Sequence, residues 1–170
     1  MMRVQLYWLD EPYSRIAIMG RPRGGEWLED ELASAREQGV DILISLLTLP
    51  EVIELGLAAE PDLCQANQIR FLSLPIEDRG LPDNADGLRT LVDKLAEQYL
   101  ASRAIAVHCR AGIGRSAMVV AAFICRLGCS PAEAFDRIAR ARGCPVPDTG
   151  EQLEWVEVFA RTLCNKRREP

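Results

Sequence analysis

A thiol, an arginine and two glycines come together in the segment from Val107 to Ser116, whose sequence is VHCRAGIGRS. A short apolar run before it predicts a buried strand, and the helix-compatible residues after it predict a helix. A glycine-containing loop that enters a helix directs several backbone N–H groups to one point, where the helix dipole adds positive charge. Arg115 adds a planar fork of donors that matches phosphate oxygens. The segment therefore predicts a phosphate-sized anion site with Cys109 at its floor as a reactive thiolate.

The pattern His-Cys-x-x-Gly-x-x-Arg-Ser, which begins at His108, resembles the active-site loop of the cysteine-based protein tyrosine phosphatases. The resemblance implies that Cys109 is the nucleophile that forms a cysteinyl-phosphate, and that Arg115 holds the phosphoryl oxygens. In that family the serine, here Ser116, eases departure of the thiolate, and the histidine orders the loop without donating the proton. The phosphate-binding backbone N–H groups would be those of Arg110, Ala111, Gly112, Ile113, Gly114 and Arg115. The alternative, a structural cysteine beside a helix-capping glycine, gives Arg115 no role.

A proton donor for the leaving oxygen must come from another segment, because His108 is the chain's one histidine. The acids of the loop PIEDRGLPD, residues 75–83, are the candidates. This loop resembles the general-acid loop of dual-specificity phosphatases of the kinase-associated type, and Asp78 lies 31 residues before Cys109, as the family's spacing requires. We therefore expect Asp78 to be the donor. Glu77 is the alternative donor, and Asp83 is expected to cap the following helix.

Gln152 allows two interpretations. It is the third residue after a predicted helix cap at Thr149, where a glutamine completes a capping box. The resemblance adds a second role, because a glutamine after the late loop of such phosphatases places the attacking water. A neighbouring glutamine of some relatives is absent here, and Asp148 lies near its position. The other thiols are expected to be core or incidental residues, and any of them could resolve an oxidised Cys109: Cys64, Cys125, Cys129, Cys144 and Cys164.

Predicted strands and helices alternate early in the chain, and helices dominate later. Strands are predicted at residues 4–8, 16–20, 40–47, 69–74 and 104–107, and helices at 28–39, 51–57, 63–67, 83–100, 116–127, 130–143 and 149–163. The first two strands are expected to form a hairpin at a sheet edge, and Pro61 is expected to break the helices apart. The pattern predicts an α/β fold in which helices flank a central, mostly parallel sheet and cluster in the C-terminal half. We expect one domain over residues 1–170 with a frayed tail at 165–170.

Composition excludes several partners. The net charge of −5 leaves no basic footprint for nucleic acid, and no apolar run approaches the length of a membrane span. The N-terminus lacks the apolar core of a signal peptide, so reduced thiols in the cytoplasm are expected. The sequence leaves the oligomeric state open and favours a monomer.

The predicted activity is hydrolysis of phosphate monoesters on protein side chains, without a metal or organic cofactor. Phosphotyrosine is expected to be preferred over phosphoserine and phosphothreonine, because the inner loop residues 111–114 carry no charge and Ile113 suits an aryl pocket. A phosphoinositide or inositol-phosphate phosphatase is the alternative, since the basic run Arg21 to Arg23 could fold over the site. A phosphate-binding module without turnover is a third hypothesis, and the joint presence of Cys109, Arg115 and Asp78 argues against it.

Overall fold

The computed structural model describes residues 3–166 of the 170-residue chain. Its sheet has five strands in the order β1-β2-β5-β3-β4. These are β1 (Tyr7–Trp8), β2 (Ile16–Met19), β3 (Ile42–Ser45), β4 (Arg70–Ser73) and β5 (Ile105–His108). β1 pairs antiparallel with β2 at the edge, and the other pairs are parallel. The predicted α/β fold with a mostly parallel sheet and an edge hairpin is confirmed.

Seven α-helices flank this sheet within the described range. They are α1 (Leu28–Glu37), α2 (Leu49–Glu54), α3 (Glu60–Ala66), α4 (Ala85–Leu100), α5 (Arg115–Arg126), α6 (Pro131–Arg142) and α7 (Gly150–Lys166). Alternate residues of β5 enter two separate cores, since Ile105 and Val107 pack with α4 to α7 while Ala106 packs with α1 and α3. The helices of the C-terminal half, α4 to α7, therefore pack on the same face of the sheet, in agreement with the predicted cluster.

Several element boundaries differ from the prediction. β1 covers only residues 7–8, although Val4 and Leu6 are buried as a strand pattern requires. Asn84 caps α4 instead of Asp83, because its side-chain oxygen accepts the N–H of Gly87 at 2.8 Å. Pro61 lies in the first turn of α3, where a proline fits because its missing N–H has no helical partner.

Other predicted boundaries hold. Ser130 caps α6 by accepting the N–H of Glu133 at 3.3 Å, and Gly143 ends that helix with a left-handed φ of 71°. The predicted fraying at 165–170 falls mostly on residues 167–170, which lie outside the described residues. Across the described part of the chain, no helix has the length and apolarity needed to cross a bilayer.

The sheet brings three strand ends to one edge. In the register of the parallel strands, Met19 of β2 and Ser45 of β3 flank His108 at the end of β5. Ligands of open α/β sheets bind outside the carboxyl ends of the strands. The loop that follows His108 therefore begins at the position where such a fold places its ligand.

Candidate active site

The Cys109 sulfur lies between two hydrogen-bonding groups. The N–H of Gly112 donates to Sγ at 3.3 Å, and the hydroxyl of Ser116 lies 3.2 Å from Sγ. Cys109 is 3% exposed and Ser116 is fully buried. Both groups can therefore donate a hydrogen bond to the sulfur. The strand, loop and helix predicted from the sequence thus place these groups together.

The loop packs too closely for most side chains at its glycines. Gly112 has a φ of +71°, and a Cβ there would lie 2.5 Å from the carbonyl carbon of Met19. Only glycine satisfies both the left-handed backbone and this contact. At Gly114, a Cβ would collide with the carboxylate of Asp148. Asp148, which the sequence marked only as a departure from relatives, therefore lies directly against the loop.

Arg142, which the sequence analysis did not select, fixes the loop from outside. Its Nε donates to the carbonyl of Gly112 at 2.8 Å and its Nη2 to that of Ala111 at 3.1 Å. Its guanidinium also stacks over the Tyr7 ring, 4.1 Å from the centroid. A trans peptide points its carbonyl and N–H in opposite directions. The outward carbonyls therefore turn the N–H groups of Gly112 and Ile113 towards the sulfur side.

Arg115 is 2% exposed, and its guanidinium donates four hydrogen bonds. Nη1 donates to Oε2 of Glu51 at 2.7 Å and to the carbonyl of Ile76 at 2.8 Å. Nη2 donates to Oε1 of Glu51 at 2.9 Å and to Oδ1 of Asp78 at 3.2 Å. The hydrogen bonds from Arg115 lower the pKa of Glu51 from 4.5 to about 2, against the opposing effect of burial.

Glu51 is a site residue that sequence reasoning missed. It forms the capping box of α2, since its Oε2 accepts the Thr48 N–H at 3.0 Å. The segment Thr-Leu-Pro-Glu shows this cap in the sequence, but a cap alone does not indicate a partner 64 residues away. The same carboxylate receives Nε of Arg110 at 3.4 Å, and Glu54 receives the Nη2 of Arg110 at 2.8 Å. The side chain of Arg110 is thus hydrogen-bonded to two carboxylates of α2.

Asp78 lies beside Arg115 on the predicted acid loop. Its side chain is 61% exposed, so it can exchange protons with solvent and substrate. The loop is held at both ends, because Ile76 donates its N–H to Leu46 at 3.0 Å and Gly80 accepts from Gln152 at 3.2 Å. Glu77, Asp78 and Asp83 are all exposed. Asp78 is the one among them whose carboxylate accepts a hydrogen bond from Arg115.

Gln152 is fully buried and combines features of both interpretations. Its backbone N–H donates to the Thr149 hydroxyl at 3.2 Å, which is half of the predicted capping box. Its side chain does not complete the box, because Nε2 donates instead to the carbonyl of Gly80. Its Oε1 has no hydrogen-bond partner among the described residues. This buried acceptor remains available to a water molecule or a substrate group.

His108 lies behind the loop and is fully buried. Its Nδ1 is 3.3 Å from the carbonyl oxygen of Cys109, and its Nε2 is 2.9 Å from Oε1 of Glu60. The bond to Cys109 agrees with the predicted ordering role. Glu60, at the start of α3, is a second acid that the sequence analysis did not select.

Together these groups can support displacement at phosphorus. The site combines a thiol between two hydrogen-bonding groups, a buried guanidinium and an exposed carboxylic acid on a neighbouring loop. Such a set supplies a nucleophile, charge stabilisation and a proton donor.

The chain is similar to known phosphatases in sequence and in fold. Residues 33–159 match the family model described as the dual specificity phosphatase, catalytic domain. Cyclin-dependent kinase inhibitor 3 of Rattus norvegicus is 25% identical over 138 residues, which cover 80% of this chain. The match spans 65% of that relative, less than two thirds of its length.

Solved structures share the fold. A kinase associated phosphatase with its catalytic-site cysteine replaced by serine has a TM-score of 0.84 at 20% identity, covering 96% of this chain and 98% of that one. Tk-PTP in the active form gives 0.74 at 24% identity, with 92% and 96% covered. PTPMT1 in complex with PI(5)P gives 0.73 at 21% identity, with 89% and 94% covered.

Proposed function

Because this chain belongs to the dual specificity phosphatase catalytic-domain family, we propose that it removes phosphate from protein side chains, with phosphotyrosine preferred. The observation that carries the proposal is the position of the Cys109 sulfur between Gly112 N–H and the Ser116 hydroxyl. Arg115 is the charge-stabilising group and Asp78 the proton donor of this proposal. They lie side by side, because Nη2 of Arg115 donates to Oδ1 of Asp78 at 3.2 Å.

In the first step, the Cys109 thiolate attacks phosphorus and forms an S–P bond while the P–O bond to the substrate breaks. Asp78 gives its proton to the leaving oxygen, so that a neutral alcohol or phenol departs. The N–H groups of residues 110–115 hold the phosphoryl oxygens in the transition state. This assigns Arg110, Ala111, Gly112, Ile113 and Gly114 a backbone role.

The donors of Arg115 determine how the phosphate enters. Guanidinium has five N–H donors, and all four on Nη1 and Nη2 are used within the protein. The Nε–H is the donor left for a phosphoryl oxygen. A second becomes free at Nη2 when Asp78 moves from Arg115 to the leaving oxygen. Substrate entry thus releases Asp78 to act as the acid, while Glu51 keeps the fork oriented.

In the second step, water attacks phosphorus, the S–P bond breaks and inorganic phosphate forms. The Asp78 carboxylate takes a proton from the water, and the Ser116 hydroxyl hydrogen-bonds the departing thiolate. The free Oε1 of Gln152 is assigned to the attacking water, since it is a buried acceptor without a partner among the described residues. His108 supports the loop through the Cys109 carbonyl.

A phosphoinositide is the second candidate substrate, and one observation favours it. The N–H of Arg21 donates to the carbonyl of Arg110 at 3.2 Å, so the basic run lies against the catalytic loop. Arg21, Arg23 and Arg142 line a cavity of about 360 Å³ that reaches Ala111. Two of these three guanidinium groups already have partners within the protein. Arg23 pairs with Glu31 at 2.8 Å, and Arg142 donates to loop carbonyls. We therefore favour the protein substrate.

The test compares kcat/KM for a phosphotyrosine peptide with that for a phosphatidylinositol trisphosphate. The peptide should be preferred by at least about tenfold, or roughly 1.4 kcal/mol in transition-state binding. Preference for the lipid, lost in the double variant Arg21→Ala, Arg23→Ala, would establish the alternative substrate. Arg126→Ala is the matched control, because Arg126 pairs with Asp93 at the far end of α5. Binding of both ligands without turnover would identify a phosphate-binding module.

The single-domain boundary, the cytoplasmic location and the monomeric state are further parts of this proposal. Size-exclusion chromatography with light scattering and limited proteolysis test the state and the boundary.

A further inference from the structure

A cavity of about 350 Å³ lies at the end of the sheet opposite the catalytic loop. Two of its lining residues, Ile42 and Arg70, begin β3 and β4, and a third, Arg103, precedes β5. The catalytic loop follows the other end of β5, after His108. The four residues of this strand span roughly 10 Å between the two ends. The cavity is therefore separate from the site around Cys109.

The wall of this cavity is cationic. Of its seven lining residues three are arginines and one is an acid, namely Arg36, Arg70, Arg103 and Asp41. Three guanidinium groups against one carboxylate leave a charge of +2, although the whole chain carries −5. Cations that line a cleft focus the electrostatic potential and attract anions. The charge of the wall therefore favours an anionic ligand.

The acid compensates only one of the three arginines fully. Oδ1 of Asp41 accepts Nη1 of Arg36 at 2.7 Å, and Oδ2 accepts the N–H of Ala104 at 3.0 Å. Arg103 approaches the same carboxylate at 3.9 Å, beyond hydrogen-bond distance. Among the described residues, the side chain of Arg70 has no hydrogen-bond or ion-pair partner. Two guanidinium groups thus keep unused donors, and their planar forks match the oxygens of a phosphoryl group.

A second cavity, of about 220 Å³, adjoins the first, because Ile42, Arg70 and Gln98 line both. Its wall adds two aliphatic side chains and one charge of each sign, from Leu72, Leu95, Lys94 and Glu97. Sites for small molecules combine apolar walls with a few polar groups that fix the orientation of the ligand. The two cavities together place an aliphatic surface beside the arginines, and this combination fits an organic phosphate.

We propose that the two cavities form a binding site for a small organic phosphate, separate from the catalytic site. The phosphoryl oxygens bind Arg70 and Arg103, and the organic part lies over Leu72 and Leu95. This site does not depend on the proposed function, because binding there needs neither the Cys109 thiolate nor turnover.

Phenylphosphonate is the probe, because it joins a phosphoryl group to an apolar ring and its P–C bond resists hydrolysis. Backbone amide NMR spectra of the full chain, recorded at increasing probe concentration, separate the two sites by residue. We expect shifts at residues 36–42, 68–72 and 94–103 that follow one binding curve, and shifts at 109–116 that follow another. Shifts confined to residues 109–116 would overturn the proposal. This titration uses the parent protein, so it decides the proposal even if a variant fails to fold.

The double variant Arg70→Ala, Arg103→Ala should weaken binding at the distal residues by at least about tenfold, or roughly 1.4 kcal/mol. The binding curve of residues 109–116 should not change. Arg126→Ala with Arg161→Ala is the matched control, because it removes the same charge from α5 and α7, outside both cavities. Equal weakening in the two double variants would show a response to net charge alone and would contradict the site.

Inorganic phosphate tests the role of the aliphatic wall. It offers the same kind of oxygen atoms without a ring, so it should bind the distal residues more weakly than phenylphosphonate. Equal or tighter binding would contradict an organic ligand. The two accounts also fail separately, since distal shifts in a protein without phosphatase activity would refute only the proposed function. An active phosphatase without distal shifts would refute only this site.

Discussion

Glu51 approaches the Arg115 guanidinium with both carboxylate oxygens, at 2.7 and 2.9 Å, although the residues are 64 positions apart. Glu51 is 8% exposed and Arg115 is 2% exposed, so this two-point contact is shielded from solvent. It joins the start of α2 to the start of α5 and fixes the plane of the guanidinium. The Nε–H takes no part in this contact, and the proposed function assigns it to a phosphoryl oxygen.

The pair predicts a pH dependence of stability. The pKa of Glu51 falls from 4.5 to about 2 on folding, so its contribution is complete above about pH 5 and is lost as pH falls towards 2. The contribution is of the order of 3 kcal/mol. Glu51→Gln should lower the free energy of unfolding by about that amount at pH 7, and the difference should shrink below pH 5. Urea unfolding at a series of pH values measures it.

The control for this experiment is Glu54→Gln. Glu54 lies on the same helix, but its side chain is 63% exposed and pairs with Arg110. Exposed pairs contribute at most about 1 kcal/mol. Equal losses at pH 7 for both variants, or a loss in Glu51→Gln that does not change with pH, would contradict the assigned role of the buried pair.

Gly112→Ala should damage both folding and activity. The variant must adopt a φ of +71° and place its Cβ 2.5 Å from the Met19 carbonyl carbon. The left-handed backbone alone costs about 1–2 kcal/mol, and the collision adds to this. We expect a loss of more than about 2 kcal/mol in thermal or urea unfolding, and a large loss of phosphatase activity.

Gly143→Ala separates the two effects. Gly143 has the same φ of +71°, but a Cβ there meets nothing within 4 Å. This variant should lose only the backbone term of about 1–2 kcal/mol and keep its activity. A Gly112→Ala protein as stable and active as Gly143→Ala would show that the loop does not need the close contact with Met19.

Asp78→Asn should lower kcat by about 10² to 10⁴ on substrates with poor leaving groups, because the donated proton is lost. The effect should be much smaller for an aryl phosphate whose leaving group needs no proton. Steady-state kinetics on an alkyl and an activated aryl phosphate, from pH 5 to 9, test these expectations.

Glu77→Gln and Asp83→Asn serve as controls for Asp78→Asn. Both acids are exposed on the same segment, and Asn84 caps α4 in place of Asp83. If Asp78→Asn lost activity equally on both substrates and Glu77→Gln showed the leaving-group dependence, the donor would be Glu77.

The strand, loop and helix around Cys109 could be predicted from sequence, because local signals specify them. An apolar run gives β5, the glycines allow the turn, and α5 continues as a buried helix. The parallel sheet followed from buried strands that alternate with helices. Asn84 caps α4, although Asp83 was the predicted cap. Both residue types suit a cap, and only the backbone geometry distinguishes them.

The partners of the loop could not be predicted in the same way. Three residues approach the segment around Cys109 from separate helices: Glu51 from α2, Glu60 from α3 and Arg142 from α6. Their distances along the sequence from this segment follow no pattern that would identify them. Their residue types are common on helix surfaces, so nothing local indicates that they become buried or contact the loop. Tertiary packing brings each of the three against a different residue of the segment 108–115.

The identity of the nucleophile is the central claim, and trapping the covalent intermediate tests it most directly. Rapid acid quench of the parent protein during turnover of an aryl phosphate should leave one phosphoryl group on the peptide that contains Cys109. Cys109→Ser should carry none and should turn over at less than about a thousandth of the parent rate, because a serine hydroxyl is not ionised in this site. It should still bind phosphate esters, since the loop donors other than the sulfur remain. Phosphate on another residue, or residual activity in Cys109→Ser above that level, would contradict the account.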